Sequence, residues 1–137
     1  MSDHIHIAKA SLRSHEGLSL KMYQCTEGYN TIGYGFNLDA NPIPHEVADI
    51  LLDLKVGESV TDCATFSYWH ALSERRKAAL IDMRYCLGPS GYRQFRKMHG
   101  ALTLRNYDMA AEEILDSKFA KQTGRRATDL ATMMEQG

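Results

Sequence analysis

The chain has 137 residues, a length that suits one domain of common size, and a single domain is expected over 1–137. Its formal net charge is -1, from 16 Lys and Arg against 17 Asp and Glu, so no basic surplus points to nucleic acid as a partner. No apolar run approaches the ~20 residues of a membrane helix, and the polar start Ser2-Asp3-His4-Ile5-His6, with Lys9 and Arg13 behind it, does not read as a signal peptide; neither membrane insertion nor export by a leader is expected.

The first predicted element is a helix over Asp3–Glu16, with Ile5, Ala8, Leu12 and His15 at helical spacing, Asp3 or Ser2 as cap, and Gly17 as the stop. The period then changes. Leu18, Leu20 and Met22 alternate with Ser19, Lys21 and Tyr23, which predicts a short strand. Glu27-Gly28 marks a turn, and Thr31–Phe36 is a second β-rich segment whose two glycines permit tight bends or close backbone approach. Pro44 suits a first helical position ahead of 45–52. Ser73 caps a helix from Glu74 to Leu87, with an apolar stripe through Ala78, Ile81 and Tyr85 and through Ala79, Met83 and Cys86; Gly88-Pro89 stops it. Shorter helices are expected over Tyr92–Met98 and Tyr107–Leu115, and a last one from about Arg125 to Met134. A small sheet beside a helical lobe predicts an α+β fold with a cleft between the two, and clefts host ligands.

Several features read most simply as structure. The odd count of three cysteines, without Cys-x-x-Cys, argues against a disulfide scaffold or a zinc site, and Cys63 reads as a small buried apolar residue. His4, His6 and His15 fit no metal-ligand pattern, so no metal is expected. Arg75-Arg76-Lys77 and Arg125-Arg126 read as solvated helix faces, and Phe66, Tyr68 and Trp69 as an aromatic patch on a helix facing the core.

The chemistry-bearing pattern is Glu16, Cys25 and Thr31. A helix end, a strand and a hairpin can fold these three toward one cleft, although a glutamate at a helix end is by itself an ordinary solvated charge. The residues around them add specificity. Leu12-Arg13-Ser14-His15-Glu16-Gly17-Leu18 and Thr26-Glu27-Gly28-Tyr29-Asn30-Thr31-Ile32-Gly33-Tyr34-Gly35 resemble the active-site region of T4-type phage lysozymes, glycoside hydrolase family 24. In that family a Glu is followed by eight residues, Asp or Cys, five residues and Thr; Glu16, Cys25 and Thr31 match without a gap. Leu72–Met83 resembles the family's central buried helix, and Ala110–Phe119 and Gln122–Ala127 its C-terminal helices. The resemblance is weakest between Asn37 and Trp69, a segment short for the family, where the helix joining the lobes is expected to be abbreviated or offset.

The resemblance implies a mostly helical lysozyme-like domain with a small antiparallel hairpin sheet, and a muramidase that cuts the β-1,4 bond between N-acetylmuramic acid and N-acetylglucosamine in bacterial peptidoglycan. Glu16 is then the acid that protonates the leaving oxygen as the sugar ring becomes cation-like. That role wants a pKa above the usual ~4.3; apolar walls would raise it, while Arg126, which the resemblance pairs with Glu16, would lower it. Thr31 and residue 25 serve the opposite face of the sugar. Many relatives carry aspartate where this chain has Cys25, which leaves three roles open: a partly ionised base or electrostatic stabiliser, a covalent nucleophile, or a spare apolar residue. Resemblance favours a water held between acid and base, and hence inversion. Gln122 and Thr123 are candidates for glycan contact. Phe36, Cys86 and Phe119 stand where relatives often have histidine, a polar amide and tryptophan; Phe36 is carried as a substrate-side candidate, and Cys86 and Phe119 read as core. No cofactor is implied. The implied setting is a monomer made in the host cytoplasm that reaches the periplasmic wall when a holin opens the membrane. Its alternatives are a virion-associated muramidase used at entry and a non-catalytic wall-binding or structural homologue.

Overall fold

The computed structural model describes residues 2–137. The chain divides into two compact units, Met1–Asp49 and Ile50–Gly137.

In the first unit, helix α1 spans Asp3–Glu16, as its period predicts. Gly17 ends it: its φ of +70° suits glycine, and its amide donates to the Arg13 carbonyl at 3.1 Å. Strands β1 (Ser19–Gln24), β2 (Asn30–Gly33) and β3 (Phe36–Asn37) form an antiparallel sheet in the order β1-β2-β3. Tyr23 lies opposite Thr31 and Gln24 opposite Asn30. Between β1 and β2 the Cys25 amide donates to the Tyr29 carbonyl at 2.9 Å and the Gly28 amide to the Cys25 carbonyl at 2.8 Å, with Gly28 at φ +85°. A three-residue turn closed by a left-handed glycine joins strands with the right twist, and Thr26-Glu27-Gly28 supplies it. The Asp39 carboxylate accepts from the Asn30 backbone amide at 2.7 Å and from its side chain at 3.2 Å, which fixes the entry to β2. The alternation at Leu18, Leu20 and Met22 correctly predicts a strand, yet all three side chains are exposed, Leu20 at 82%. Backbone pairing to β2 satisfies this strand without an apolar layer on that face.

Helix α2 (His45–Cys63) runs from the first unit into the second. Pro44 caps it rather than opening it, and its carbonyl accepts from Val47 and Ala48 at 3.0 and 3.2 Å. The second unit continues with a 3₁₀ turn, Trp69–Ala71, then α3 (Glu74–Arg93), α4 (Arg96–Thr103), α5 (Tyr107–Leu115), α6 (Lys118–Thr123) and α7 (Arg125–Gln136). Ser73, Asn106 and Ser117 cap α3, α5 and α6 through side-chain oxygens that accept a backbone N–H. Gly88-Pro89 breaks α3 without ending it. Gly88 leaves the helical path at φ +76°, and the helix resumes from Pro89, whose missing N–H is harmless in a first turn. The helix expected over Tyr92–Met98 is therefore divided, with Tyr92 and Arg93 closing α3 and α4 starting at Arg96.

The core lies in this unit and includes the fully buried Leu80, Met83, Tyr92, Met98, Leu102, Ile114 and Met134. Cys63 and Phe119 are core residues at 0% and 4% exposure, as expected. Cys86 is not: it is exposed on α3, whose buried stripe runs through Ala79, Leu80 and Met83. Trp69 and Tyr68 are buried, but they come from the 3₁₀ turn and the chain before it rather than from an α-helix. Arg76 is more than a solvated charge. It lies over the Tyr107 ring at 3.6 Å and donates to the carbonyls of Met134 and Glu135 at 2.7 and 3.0 Å, which caps the C-terminal end of α7.

Two buried polar clusters knit the helices. The Asp62 carboxylate on α2 accepts from Arg84 at 2.7 Å and from Arg93, so it ties both sides of the Gly88 break to one group. On α4, buried His99 has Nε2 2.8 Å from the Tyr92 carbonyl and Nδ1 2.6 Å from the Tyr68 hydroxyl, with Phe66 stacked at 4.2 Å. A carbonyl only accepts, so Nε2 carries the proton and Nδ1 accepts from Tyr68. Burial pushes the His99 pKa below 6.5, which favours this neutral form.

Candidate active site

Glu16 is the last residue of α1, so its side chain leaves the helix where Gly17 turns the chain toward β1. It is exposed, and it lies against the turn between β2 and β3. The contact is with Gly35: a methyl group on that glycine would overlap the Glu16 carboxylate, 2.8 Å from Cδ and 3.3 Å from Cγ. In the same last turn of α1, the Arg13 guanidinium stands 5.8 Å from the centre of the Tyr34 ring. Two neighbouring residues of one turn thus receive two side chains of one helix end.

Cys25 lies at the far end of β2 from that turn, between β1 and the three-residue turn Thr26-Glu27-Gly28, half-buried. The backbone amides of Glu27 and Tyr29, and to a smaller degree the Thr31 hydroxyl, favour the thiolate and hold the thiol below its ordinary value near 9.0, the Glu27 amide contributing most. Partial desolvation and the Glu27 carboxylate oppose them. Thr31 is 4% exposed and is the buried residue among those described in the first unit. Its hydroxyl donates to the Tyr29 carbonyl at 2.9 Å. A hydroxyl has one proton and two lone pairs, so with its proton on Tyr29 it can accept from the thiol, and after rotation it can donate to the thiolate. Phe36 is half-buried on β3, opposite Ile32.

The structure therefore brings Cys25 and Thr31 together at the β1–β2 hairpin and sets Glu16 against the β2–β3 turn of the same sheet. The candidates of the second unit have their own partners. Arg126, which the resemblance pairs with Glu16, donates through Nε to the Asp82 carboxylate at 2.7 Å and through its second terminal nitrogen to the Asp82 carbonyl at 3.3 Å. Thr123 donates to the Phe119 carbonyl at 2.9 Å within its own helix. Gln122 is exposed and lines a cavity of about 590 Å³ together with Phe95, Arg96, Met98, Glu113 and Phe119. Sequence reasoning missed Asp82 and the distinct place of Gly35. Asp82 carried a signal as a charge inside an otherwise apolar stretch of α3, whereas the Gly-x-Gly spacing gave Gly33 and Gly35 equal weight. Among the described residues no group of His, Cys, Asp and Glu is arranged to hold a metal ion, and no helix is long and apolar enough to cross a membrane.

A carboxyl, a thiol with raised thiolate character and a hydroxyl on one small unit can together move a proton and hold a polar reactant. Over 156 aligned residues the chain is 28% identical to the pre-baseplate central spike protein Gp5 of Enterobacteria phage T4, covering 92% of this chain and 27% of that protein. It is 26% identical over 160 aligned residues to a protein of Dictyostelium discoideum named "Probable T4-type lysozyme 2", covering 94% of both. The chain thus spans about a quarter of the spike protein's length and nearly all of the Dictyostelium protein. The family model described as phage lysozyme matches residues 13–134, which takes in Glu16, the whole sheet and helices α2 to α6 with most of α7. By that match, the chain belongs to the phage lysozyme family.

Proposed function

We propose that this member of a glycoside-hydrolase family is a muramidase that hydrolyses the β-1,4 bond between N-acetylmuramic acid and N-acetylglucosamine in peptidoglycan, with residues 1–137 acting as one catalytic domain. Glu16 protonates the bridging oxygen as positive charge develops on the sugar ring. Glycan bound over the exposed carboxyl excludes water from it. On the opposite face, Thr31 and Cys25 hold the attacking water, Thr31 by hydrogen bonding and Cys25 as a partly ionised base or stabiliser. A water between acid and base requires a gap of roughly 6.5–9.5 Å and leads to inversion. The roles the resemblance gives to Arg126, in orienting the acid, and to Gln122, Thr123 and Phe36, toward the glycan, belong to the same proposal.

The observation that carries this reading is the seating of Glu16 against the β2–β3 turn of the same small sheet whose β1–β2 hairpin joins Cys25 to Thr31. A turbidity assay on permeabilised bacteria tests it, wild type against Glu16→Gln. The expected outcome is lysis by the wild type and a rate lower by roughly 10²–10⁴ in the variant, the range for losing a positioned general acid. Equal lysis by both proteins, or none by either, overturns the assignment and leaves a non-catalytic homologue.

The proposed setting is host lysis: a monomer that accumulates in the cytoplasm and acts on the periplasmic wall after a holin opens the membrane. A second setting, a virion-associated muramidase used at entry, is favoured by the 28% identity to a phage spike protein.

A further inference from the structure

We infer that Gly35 is a positioning residue for the acid: the missing side chain at this position is what lets the Glu16 carboxyl occupy its place on the hairpin. The inference rests on the reading of Glu16 as general acid and extends it to a residue that touches no substrate.

Two glycines flank Tyr34, and their backbones are nearly alike, with φ of +69° at Gly33 and +70° at Gly35. Both therefore disfavour an L side chain for the same conformational reason. Their surroundings differ. A methyl group on Gly33 meets nothing within 4 Å, whereas one on Gly35 meets the Glu16 carboxylate, its Cδ at 2.8 Å and its Cγ at 3.3 Å. Backbone conformation explains glycine at 33, but at 35 it leaves the contact with Glu16 unexplained. The contacted atoms are the far end of a flexible side chain, so an alanine there is accommodated by moving the acid rather than by moving the fold. Cδ would have to retreat from 2.8 Å to at least 3.4 Å, the start of ordinary contact. The helix end itself has little freedom to follow, because Gly17 closes on Arg13 and Arg13 stands over Tyr34 of the same turn. Misplacing a reacting group by about 1 Å can cost roughly a hundredfold in rate.

The test compares Gly35→Ala with Gly33→Ala, which carries the same backbone strain without the contact. For each, kcat and KM on soluble peptidoglycan fragments, the pH–rate profile, Tm, and an NMR titration of the Glu16 carboxyl carbon are measured. Gly35→Ala is expected to lower kcat roughly a hundredfold, to leave KM within a few-fold, and to displace both the Glu16 titration and the matching limb of the pH profile. Gly33→Ala is expected to lower Tm similarly while keeping kcat within a few-fold of wild type and the Glu16 titration unchanged. Equal kinetics and equal titrations in the two variants would overturn the inference and reduce Gly35 to a strained turn residue. If Gly35→Ala is too unstable for kinetics, the Tm of Glu16→Ala/Gly35→Ala decides: recovery to the level of Gly33→Ala supports the contact, and no recovery refutes it. A wild type without muramidase activity would sink the functional reading alone, since titration and Tm still report where the acid lies.

Discussion

At Cys25 the amides of Glu27 and Tyr29 and the hydroxyl of Thr31 converge on sulfur, and each favours thiolate over thiol. The sign of the effect is definite: with the pKa held below 9.0, thiolate appears at a lower pH than on an ordinary cysteine. Iodoacetamide should therefore modify Cys25 with a rate that rises with pH about a midpoint below 9.0. The measurement uses a Cys86→Ser background, because Cys86 is exposed, whereas Cys63 is buried and burial pushes its thiol up. Muramidase activity should fall in step with labelling. A midpoint at or above 9.0 would remove the thiolate from the proposed mechanism, and full activity after labelling would remove Cys25 itself. Glu16, Cys25 and Thr31 were legible as candidates through the resemblance of the residues around them, since a helix end, a strand and a turn alone leave Glu16 an ordinary surface charge. Gly35 was legible only as one of two glycines, since what separates it from Gly33 is a side chain nineteen positions earlier in the chain. Cys86 was misplaced for a related reason. Helical period assigns a residue to a face, but it does not tell how far along that face the packing extends.

On the scale of elements, α4 carries a group that couples folding to pH. His99 is buried between Phe66, Tyr68 and Tyr92, and burial lowers its pKa below the 6.5 of an exposed histidine. The unfolded chain thus takes up this proton first. Stability from His99 is fully present above pH 6.5 and falls as pH drops from 6.5 toward the lowered value, where the loss levels off. One proton limits the slope to about 1.4 kcal/mol per pH unit. Urea unfolding between pH 7 and 5 should show this slope in the wild type and a flatter one in His99→Gln; identical slopes would exclude His99 as the source. The cluster escaped sequence reasoning because Phe66, Tyr68, Tyr92 and His99 lie on three separate segments with no shared period. Helices α1 and α5 were legible to their end residues, since a strong period coincides with caps and stops. Helix α6, of six residues, is too short to show a period, and α4 was shifted because Gly88-Pro89 bends α3 where a stop was expected.

For the whole molecule, the distribution of apolar burial matters most. The core begins at Cys63 and ends at Met134, while α1 has no buried residue and the described part of the first unit buries only Thr31. Local stability follows buried contacts. Native-state hydrogen exchange should find the amides of α1 and β1–β3 opening at lower free energy than those of α3, α5 and α7, and uniform protection along the chain would contradict this. The division also separates two kinds of selection. Random substitutions at Glu16 or Cys25 leave the apolar interior untouched, so a screen that rewards only well-folded, abundant protein would let both drift. Only a screen that demands bond cleavage would keep them, and a laboratory lineage optimised for yield alone would arrive at a sound scaffold without its reagents.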